Sequence, residues 1–163
     1  MKSVYVAFIP VLLIGFQKAE ASSPQLWNAT GATCIASDTA MQFNGYADFN
    51  GMAIHNSSAT GTMTFYCPLN LQDGFVVHSF NLMFQNLDSG GRVTASLVRM
   101  GRTDGLISNI VTLDTNLYPF GLLYKEQPIS YTLNWQPYVY YVRVDLMRST
   151  TTSQPIFVSV GVE

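Results

Sequence analysis

Apolar and polar residues alternate along much of the chain, which is the pattern of β-strands that bury one face. Met63, Phe65 and Cys67 share one side of such a strand, and threonines and a tyrosine occupy the other side. No stretch sustains a helical period. Further alternating runs occupy residues 76–85, 93–97, 129–135, 138–146 and 156–162. The pattern predicts an all-β protein, an antiparallel β-sandwich of immunoglobulin-like or jelly-roll kind with about eight to ten short strands.

Turn residues between these runs predict how the strands connect. Asp88-Ser89-Gly90-Gly91 and residues 101–105 are strong turn signals. With them, residues 75–113 are predicted to form a three-stranded antiparallel meander. The first strand of the meander is expected to bury His78 on the same side as Phe80.

The last two alternating runs predict strands with one apolar side. In the first of them, Arg143 and Asp145 are expected to face solvent. In the second, Phe157 is expected to face outward. Its inward side is predicted to hold Ile156, Val158, Val160 and Val162.

The first 21 residues predict a secretion signal. Lys2 is followed by an apolar run over residues 4–16 and by Ala19-Glu20-Ala21, a small-x-small cleavage pattern. This run is shorter than the roughly 20 residues of a membrane span, so the mature chain is expected to have no transmembrane segment. The predicted signal indicates a secreted protein that is located outside the cell or in the cell envelope. The predicted parts are a signal peptide (1–21), an extended N-terminal arm (22–33) and one β-sandwich domain (34–163).

The chain has two cysteines, Cys34 and Cys67. In an oxidising compartment an even pair is expected to form one structural disulfide. Free thiols and metal ligands are the alternatives, although two cysteines without neighbouring histidines make a poor zinc site. The disulfide is expected to contribute about 3–4 kcal/mol to stability.

Charged residues are few and mixed. The sequence has 8 Lys and Arg against 10 Asp and Glu, a formal net charge of −2. No basic stripe is present that would release counterions from a phosphate backbone. Nucleic acid is therefore not an expected partner.

Residues and motifs that carry catalytic chemistry are sparse. His55 and His78 are the two histidines, and the sequence lacks zinc-protease, nucleophile-elbow, phosphate-loop and haem motifs. A hydrogen-bonded core or barrel-edge residue is favoured for His78 over a catalytic base, and His55 is interpreted as a polar strand end. Asp38 and Asp48 flank oxygen donors that suit calcium, but ordinary turn hydrogen bonds are favoured. We predict a protein that is not an enzyme, with no catalytic residue, metal or cofactor.

Aromatic residues expected on the surface suggest a ligand-binding role. Sugar rings offer apolar C–H faces that stack on flat aromatic side chains. The candidates for this role are Trp27, Tyr118 and Tyr141, within a wider outward set that adds Tyr66, Phe120 and Phe157. The competing interpretation is that each ring packs under a loop or against a neighbouring subunit.

The uncharged arm suggests self-assembly. Leu26, Trp27 and Ala29 are its apolar residues, and an arm of this kind can add a strand to a neighbouring sheet. The strand predicted at the end of the sequence has edge groups that need a partner as well. The alternative for the arm is that it covers its own sandwich.

Four features define the layout of the chain. They are Gly31-Ala32-Thr33-Cys34, a Tyr- and Gly-punctuated stretch through Asn56-Ser57-Ser58, the Phe65-Tyr66-Cys67-Pro68 corner, and a Tyr-rich strand before Gly161-Val162-Glu163. This layout resembles that of a loose group of short secreted bacterial β-sandwich proteins with one cysteine pair. The resemblance covers most of residues 31–163 and implies a β-sandwich in an envelope or extracellular setting, with no catalytic residues to transfer. The glycosylation patterns at Asn28 and Asn56 are then incidental.

Two functions follow as hypotheses. The first is a non-enzymatic structural or cell-surface protein that self-assembles through its arm and strand edges, with itself or another extracellular protein as partner. The second is a module that binds a carbohydrate or another surface ligand through exposed aromatic residues, with a polysaccharide as partner.

Overall fold

The computed structural model describes residues 26–37, 51–55, 60–116 and 121–163. These residues contain ten β-strands and a short 3-10 turn at Gly31–Thr33. The predicted signal peptide lies outside the described residues, as do Asp38, Asp48, Asn56, Tyr118 and Phe120. The strands are β1 (Trp27–Thr30), β2 (Ile35–Ala36), β3 (Ala53–Ile54), β4 (Gly61–Pro68), β5 (Val76–Asn86), β6 (Gly91–Gly101), β7 (Ile107–Asp114), β8 (Gly121–Thr132), β9 (Tyr138–Arg148) and β10 (Ile156–Val162).

Two antiparallel sheets contain these strands. The first sheet has the order β1-β10-β5-β8, with β3 also paired to β10, and the second sheet has the order β2-β4-β9-β6-β7. Along the described chain, consecutive strands lie in different sheets at every step except the β6–β7 hairpin. This alternation between two facing sheets is the jelly-roll arrangement. The predicted antiparallel β-sandwich is confirmed, and jelly-roll is the kind that the protein adopts.

The predicted meander over residues 75–113 is wrong at its first connection. β5 pairs with β8 and β10, whereas β6 pairs with β7 and β9. The turn between β5 and β6 is held by Asp88, whose Oδ1 accepts hydrogen bonds from the backbone N–H groups of Gly90 and Gly91 at 2.7 and 3.1 Å. A turn of this composition is equally suited to a hairpin and to a crossing between sheets, so its sequence does not distinguish them.

The core lies between the two sheets and is filled by alternate residues of the long strands. Met63, Phe65 and Cys67 are at most 1% exposed, as their alternation predicts. Full burial of each large apolar side chain contributes about 1.5–3 kcal/mol. Other fully buried side chains include Phe80, Phe84, Phe157, Leu82, Leu97, Leu113, Leu133 and Leu146.

Two β-bulges reverse the orientations predicted for single residues. The backbone N–H groups of His78 and Ser79 both donate to the carbonyl of Glu163, at 2.5 and 3.0 Å, so β5 has an extra residue there and His78 is exposed rather than on the apolar side. The register of β10 against β5 shifts between Phe157 and Ser159, and Phe157 is fully buried. An extra residue at a bulge breaks the alternation of the strand. The outward position predicted for Phe157 is therefore wrong.

Residues 27–30 of the predicted arm form edge strand β1 of the first sheet. β1 pairs antiparallel with β10, from Trp27 opposite Val162 to Thr30 opposite Ser159. Ala29 is buried and Trp27 packs against the core, whereas Leu26 is exposed. Over these residues the arm covers its own sandwich, and β10 has a neighbour on each side. Assembly through the arm remains a prediction, which the solution mass from light scattering tests.

Cys34 and Cys67 form the predicted disulfide, with an S–S distance of 2.02 Å. Cys34 directly precedes β2, and Cys67 lies near the end of β4. The same two strands pair through Ile35 opposite Tyr66. The disulfide therefore fastens the short strand β2 to the edge of the second sheet.

His55 follows β3 at a strand end, but it is buried, with 4% of its surface exposed. Its backbone N–H donates to the carbonyl of Pro155 at 3.2 Å. Its Nδ1 has no hydrogen-bond partner among the described residues. Burial, followed by the positive charge of Arg148, lowers the pKa of His55 below the usual 6.5. The folded protein therefore favours the neutral imidazole.

Acidification is expected to destabilise the protein through His55. The unfolded chain binds a proton at His55 near pH 6.5, whereas the folded protein binds it only at lower pH. The free energy of unfolding therefore falls as the pH drops below about 6.5. Urea unfolding between about pH 7.5 and about pH 5 measures this slope. His55→Gln is expected to flatten it, and His78→Gln, at an exposed site, serves as the control. Equal slopes in His55→Gln and wild type would contradict the assignment.

Candidate functional site

The outward side chains of the second sheet form one continuous surface. Residues between the core positions point to solvent because side chains alternate along a strand. The register then determines their neighbours, and it places Tyr66 opposite Arg143 and Thr64 opposite Asp145. We call this surface the tyrosine face, and it comprises Ile35, Thr64, Tyr66, Ser96, Thr112, Tyr141, Arg143 and Asp145, of which Ser96 is covered by its neighbours and is 8% exposed.

One row of the tyrosine face crosses all five strands of the second sheet. Its apolar end is Ile35, and at its other end the hydroxyls of Ser96 and Thr112 are hydrogen-bonded at 2.8 Å. Neighbouring strands are about 4.8 Å apart, so the row is roughly 19 Å long. This length suits an extended ligand. The row consists of Ile35, Tyr66, Arg143, Ser96 and Thr112, each paired with the next.

Tyr66 and Tyr141 pack edge to face on this surface. Their ring centroids are 5.6 Å apart and their planes are inclined by 72°. Tyr66 is 39% exposed, and Ile35 beside it is 63% exposed. Burial, followed by the proximity of Tyr66, raises the pKa of Tyr141. At neutral pH the Tyr141 hydroxyl is therefore protonated and able both to donate and to accept a hydrogen bond.

Asp145 organises the polar groups next to the two rings. Its Oδ1 accepts a hydrogen bond from Thr64 Oγ1 at 2.6 Å and another from Arg143 Nε at 3.0 Å. The hydrogen bond to Asp145 raises the pKa of Arg143. The Arg143 side chain is 47% exposed and that of Asp145 is 17% exposed. The face therefore offers a cation balanced by an anion rather than an excess of either charge.

The same surface deepens at the end of β4, β9 and β6 that is farther from the tyrosines. A depression of about 260 Å³ is lined there by Thr62, Met147 and Arg92 and by the turn over residues 89–91. Arg92 Nε donates to Asp114 Oδ1 at 2.8 Å, and this contact lowers the pKa of Asp114. Charge is balanced at this end of the surface as well.

A separate aromatic cluster joins the two sheets at the other end of β6 and β9. Arg99 lies 4.9 Å from the centre of the Tyr138 ring and donates a hydrogen bond to Tyr131 Oη at 3.3 Å. The Tyr140 hydroxyl accepts from the backbone N–H of Asn134 at 3.0 Å. Burial raises the pKa of Tyr140 to about 12. These side chains contact one another and pack at the end of the core between the two sheets.

The structure separates the three aromatic residues predicted to bind a ligand. Tyr141 is on the tyrosine face, whereas Trp27 belongs to the first sheet and packs partly against the core. Tyr118 lies outside the described residues. Their role in binding remains a prediction. Of the predicted assembly residues, Leu26 is 64% exposed and Ala29 is buried.

Sequence reasoning did not assign Arg143, Asp145 or Thr64 to a site. Alternation places the first two on the solvent side of β9, which the structure confirms. Their proximity to Tyr66 depends on the pairing of β4 with β9, two strands that are distant in the sequence. The sequence signal that could have indicated this site is the pair of opposite charges, Arg143 and Asp145, at alternate positions of an aromatic-rich strand.

Two features are absent from the part of the chain that the structure describes. No three His, Cys, Asp or Glu side chains come together there in a way that suits a metal ion. No described helix is long and apolar enough to cross a membrane.

No known protein family and no curated protein matches the chain. Several solved structures have a similar backbone fold. One is a low-affinity xylan-binding module, CBM86, from Roseburia intestinalis. It has a TM-score of 0.47 and 13% sequence identity, and the match covers 85% of this chain and 95% of that one. The family 22 carbohydrate-binding module of Clostridium thermocellum Xyn10B has a TM-score of 0.46 and 12% identity over 83% and 91%. A family two carbohydrate esterase from Cellvibrio japonicus has a TM-score of 0.37 and 6% identity over 85% of this chain but 33% of that one. Values this low do not identify what this chain binds, which has to follow from its own residues.

Proposed function

We propose that the protein is a non-catalytic module that binds a neutral polysaccharide on the tyrosine face, outside the cytoplasm. The observation that supports this most directly is the exposed Tyr66 ring, packed against Tyr141 and flanked by the Arg143–Asp145 pair. An aromatic ring receives the apolar C–H face of a sugar, while neighbouring polar groups bind its hydroxyls.

The choice of a neutral ligand rests on the charges of the face. Arg143 is paired with Asp145, and Arg92 is paired with Asp114 at the far end. An acidic polysaccharide would have to compete with these carboxylates for the arginines. Sugar hydroxyls, in contrast, can join the existing hydrogen bonds as donors to Asp145 and as acceptors from Arg143.

The choice of a location outside the cytoplasm rests on two features of the sequence. The disulfide between Cys34 and Cys67 persists most readily in an oxidising compartment. The charged start, apolar run and small-x-small pattern of residues 1–21 fit a cleaved secretion signal. A protein released by this route meets polysaccharides of surfaces and matrices rather than cytoplasmic metabolites.

Removing the aromatic rings of the tyrosine face is expected to weaken binding about tenfold, which corresponds to about 1.4 kcal/mol. Tyr66→Ala removes the exposed stacking surface, and Tyr141→Ala removes the ring that positions it. Affinity electrophoresis in gels that contain soluble xylan, glucan, galactan or mannan measures the retardation of each variant. A gel with polygalacturonate tests the preference for a neutral polymer.

Two variants serve as controls for this experiment. Tyr66→Phe retains the ring and is expected to bind within about threefold of wild type. Leu106→Ala removes an exposed apolar side chain, 71% exposed, from the β6–β7 hairpin and is expected to have no effect. If both alanine variants of the tyrosine face are retarded like wild type by every polymer that wild type binds, the assignment of the site is wrong.

A further inference from the structure

The outer surface of the first sheet carries a depression of its own, on the side of the sandwich opposite the tyrosine face. Its volume is about 230 Å³. Strands β10 and β5 form its floor, and the outer strands β1 and β8 form its sides, since the sheet order is β1-β10-β5-β8. Residues that line it include Trp27, Asn28, Asn81, Tyr124, Ser159 and Gly161.

The floor of this depression is a glycine covered by an amide. The register places Gly161 between Asn28 and Asn81. A Cβ at position 161 would lie 2.6 Å from Asn81 Oδ1 and 3.0 Å from its Nδ2. The side chain of Asn81 therefore occupies the space that a larger residue at 161 would fill. An amide on the floor offers one acceptor and two donors, a combination suited to neighbouring sugar hydroxyls.

Aromatic carbon flanks the amide on the β8 side of the depression. Tyr124 on β8 is 52% exposed, and its hydroxyl donates to Glu126 Oε2 at 3.2 Å. Trp27 lines the depression from β1, but its ring packs against the core, on the same side as its buried partner Val162. One exposed ring beside an amide repeats the combination of stacking surface and hydrogen-bonding groups that defines the tyrosine face.

Charge at this depression disfavours an acidic polysaccharide. The described residues that line it include the carboxylate of Glu163 and neither lysine nor arginine. Glu126 adds a second carboxylate next to Tyr124. Acidic sugars would be repelled by these groups, whereas hydroxyls can donate hydrogen bonds to them.

We propose that this depression is a second carbohydrate site, so that one domain binds two separate polysaccharide chains on opposite faces and cross-links them. The outer faces of a two-sheet sandwich point away from each other, and a single straight chain does not reach both. The second site shares with the proposed function the class of the ligand, and the cross-linking rests on binding at the tyrosine face as well.

The number of ligands bound per protein tests the second site. Isothermal titration uses an oligosaccharide cut from the polymer that retards wild type in the gels. Wild type is expected to bind two oligosaccharides, whereas Tyr66→Ala/Tyr141→Ala and Asn81→Ala/Tyr124→Ala are each expected to bind one. Wild type is also expected to make a dilute solution of the polymer turbid, and neither double variant is expected to do so.

Tyr124→Phe, which retains the ring, is the matched control and should behave like wild type. Thermal unfolding verifies that each variant is folded, and Tyr124→Ala alone replaces the double variant if that one is not.

The possible results distinguish the second site from the tyrosine face. One oligosaccharide per wild-type chain, with all binding lost in Tyr66→Ala/Tyr141→Ala, overturns the second site and leaves the proposed function standing. Binding that is lost in Asn81→Ala/Tyr124→Ala but unchanged in Tyr66→Ala/Tyr141→Ala supports the second site and overturns the role of the tyrosine face. Failure of wild type to bind any of the polymers overturns both.

Discussion

Phe157→Ala is expected to lower the free energy of unfolding by about 3–5 kcal/mol. The ring is fully buried and belongs to β10, which lies between β1 and β5 in the first sheet. Alanine would remove most of the apolar surface of the side chain and leave a cavity that the neighbouring strands cannot fill without moving. Urea unfolding monitored by circular dichroism measures the difference.

Leu122→Ala provides the comparison for this result. Leu122 belongs to the same sheet but is 61% exposed, so its loss is expected to change stability by less than about 0.5 kcal/mol. Phe157→Leu is expected to lie between the two variants. Should Phe157→Ala be no more destabilising than Leu122→Ala, the ring faces solvent and the register of β10 is not the one described here.

Removal of the disulfide is expected to have an effect of similar size. Cys34→Ala/Cys67→Ala releases a link between residues 33 positions apart, and such a loss costs about 2–5 kcal/mol in a domain of this size. Alanine is preferred to serine because both sulfur atoms are in the core, where a hydroxyl would need a partner. Differential scanning calorimetry should record a melting temperature lower by roughly 10 °C.

Wild type treated with a reductant provides an independent test of the same bond. It should melt near the temperature of the double variant, since both lack the link and retain the strands that it joins. A double variant that melts within about 2 °C of oxidised wild type would show that β2 and β4 remain paired without the bond.

Local pattern was sufficient to predict the strands whose alternation is unbroken. Met63, Phe65 and Cys67 are buried and Arg143 faces solvent, as the period of two requires. The prediction failed at His78 and Phe157 because a β-bulge lies next to each of them. A bulge adds one residue to one strand, and no residue near these two positions marks it in the sequence.

The candidate site was less predictable than the strands. Tyr141 was identified as an outward aromatic residue, but its partner Tyr66 is brought to it by the pairing of β4 with β9. This pairing depends on crossings between the sheets, and the Asp88–Gly91 turn gives no sign of such a crossing. Register between distant strands is set by the whole core rather than by a local signal.

The position of β10 in the first sheet has a consequence for the order of folding. β1 is paired only through β10 within the described sheet, and β5 gains its second neighbour there as well. β1 is the first of the described strands and β10 is the last. The first sheet therefore needs contacts between residues that are more than a hundred positions apart in the sequence. Chains dominated by such long-range pairing fold slowly, over milliseconds to seconds. The first sheet is therefore complete only once β10 is available to pair with β1 and β5.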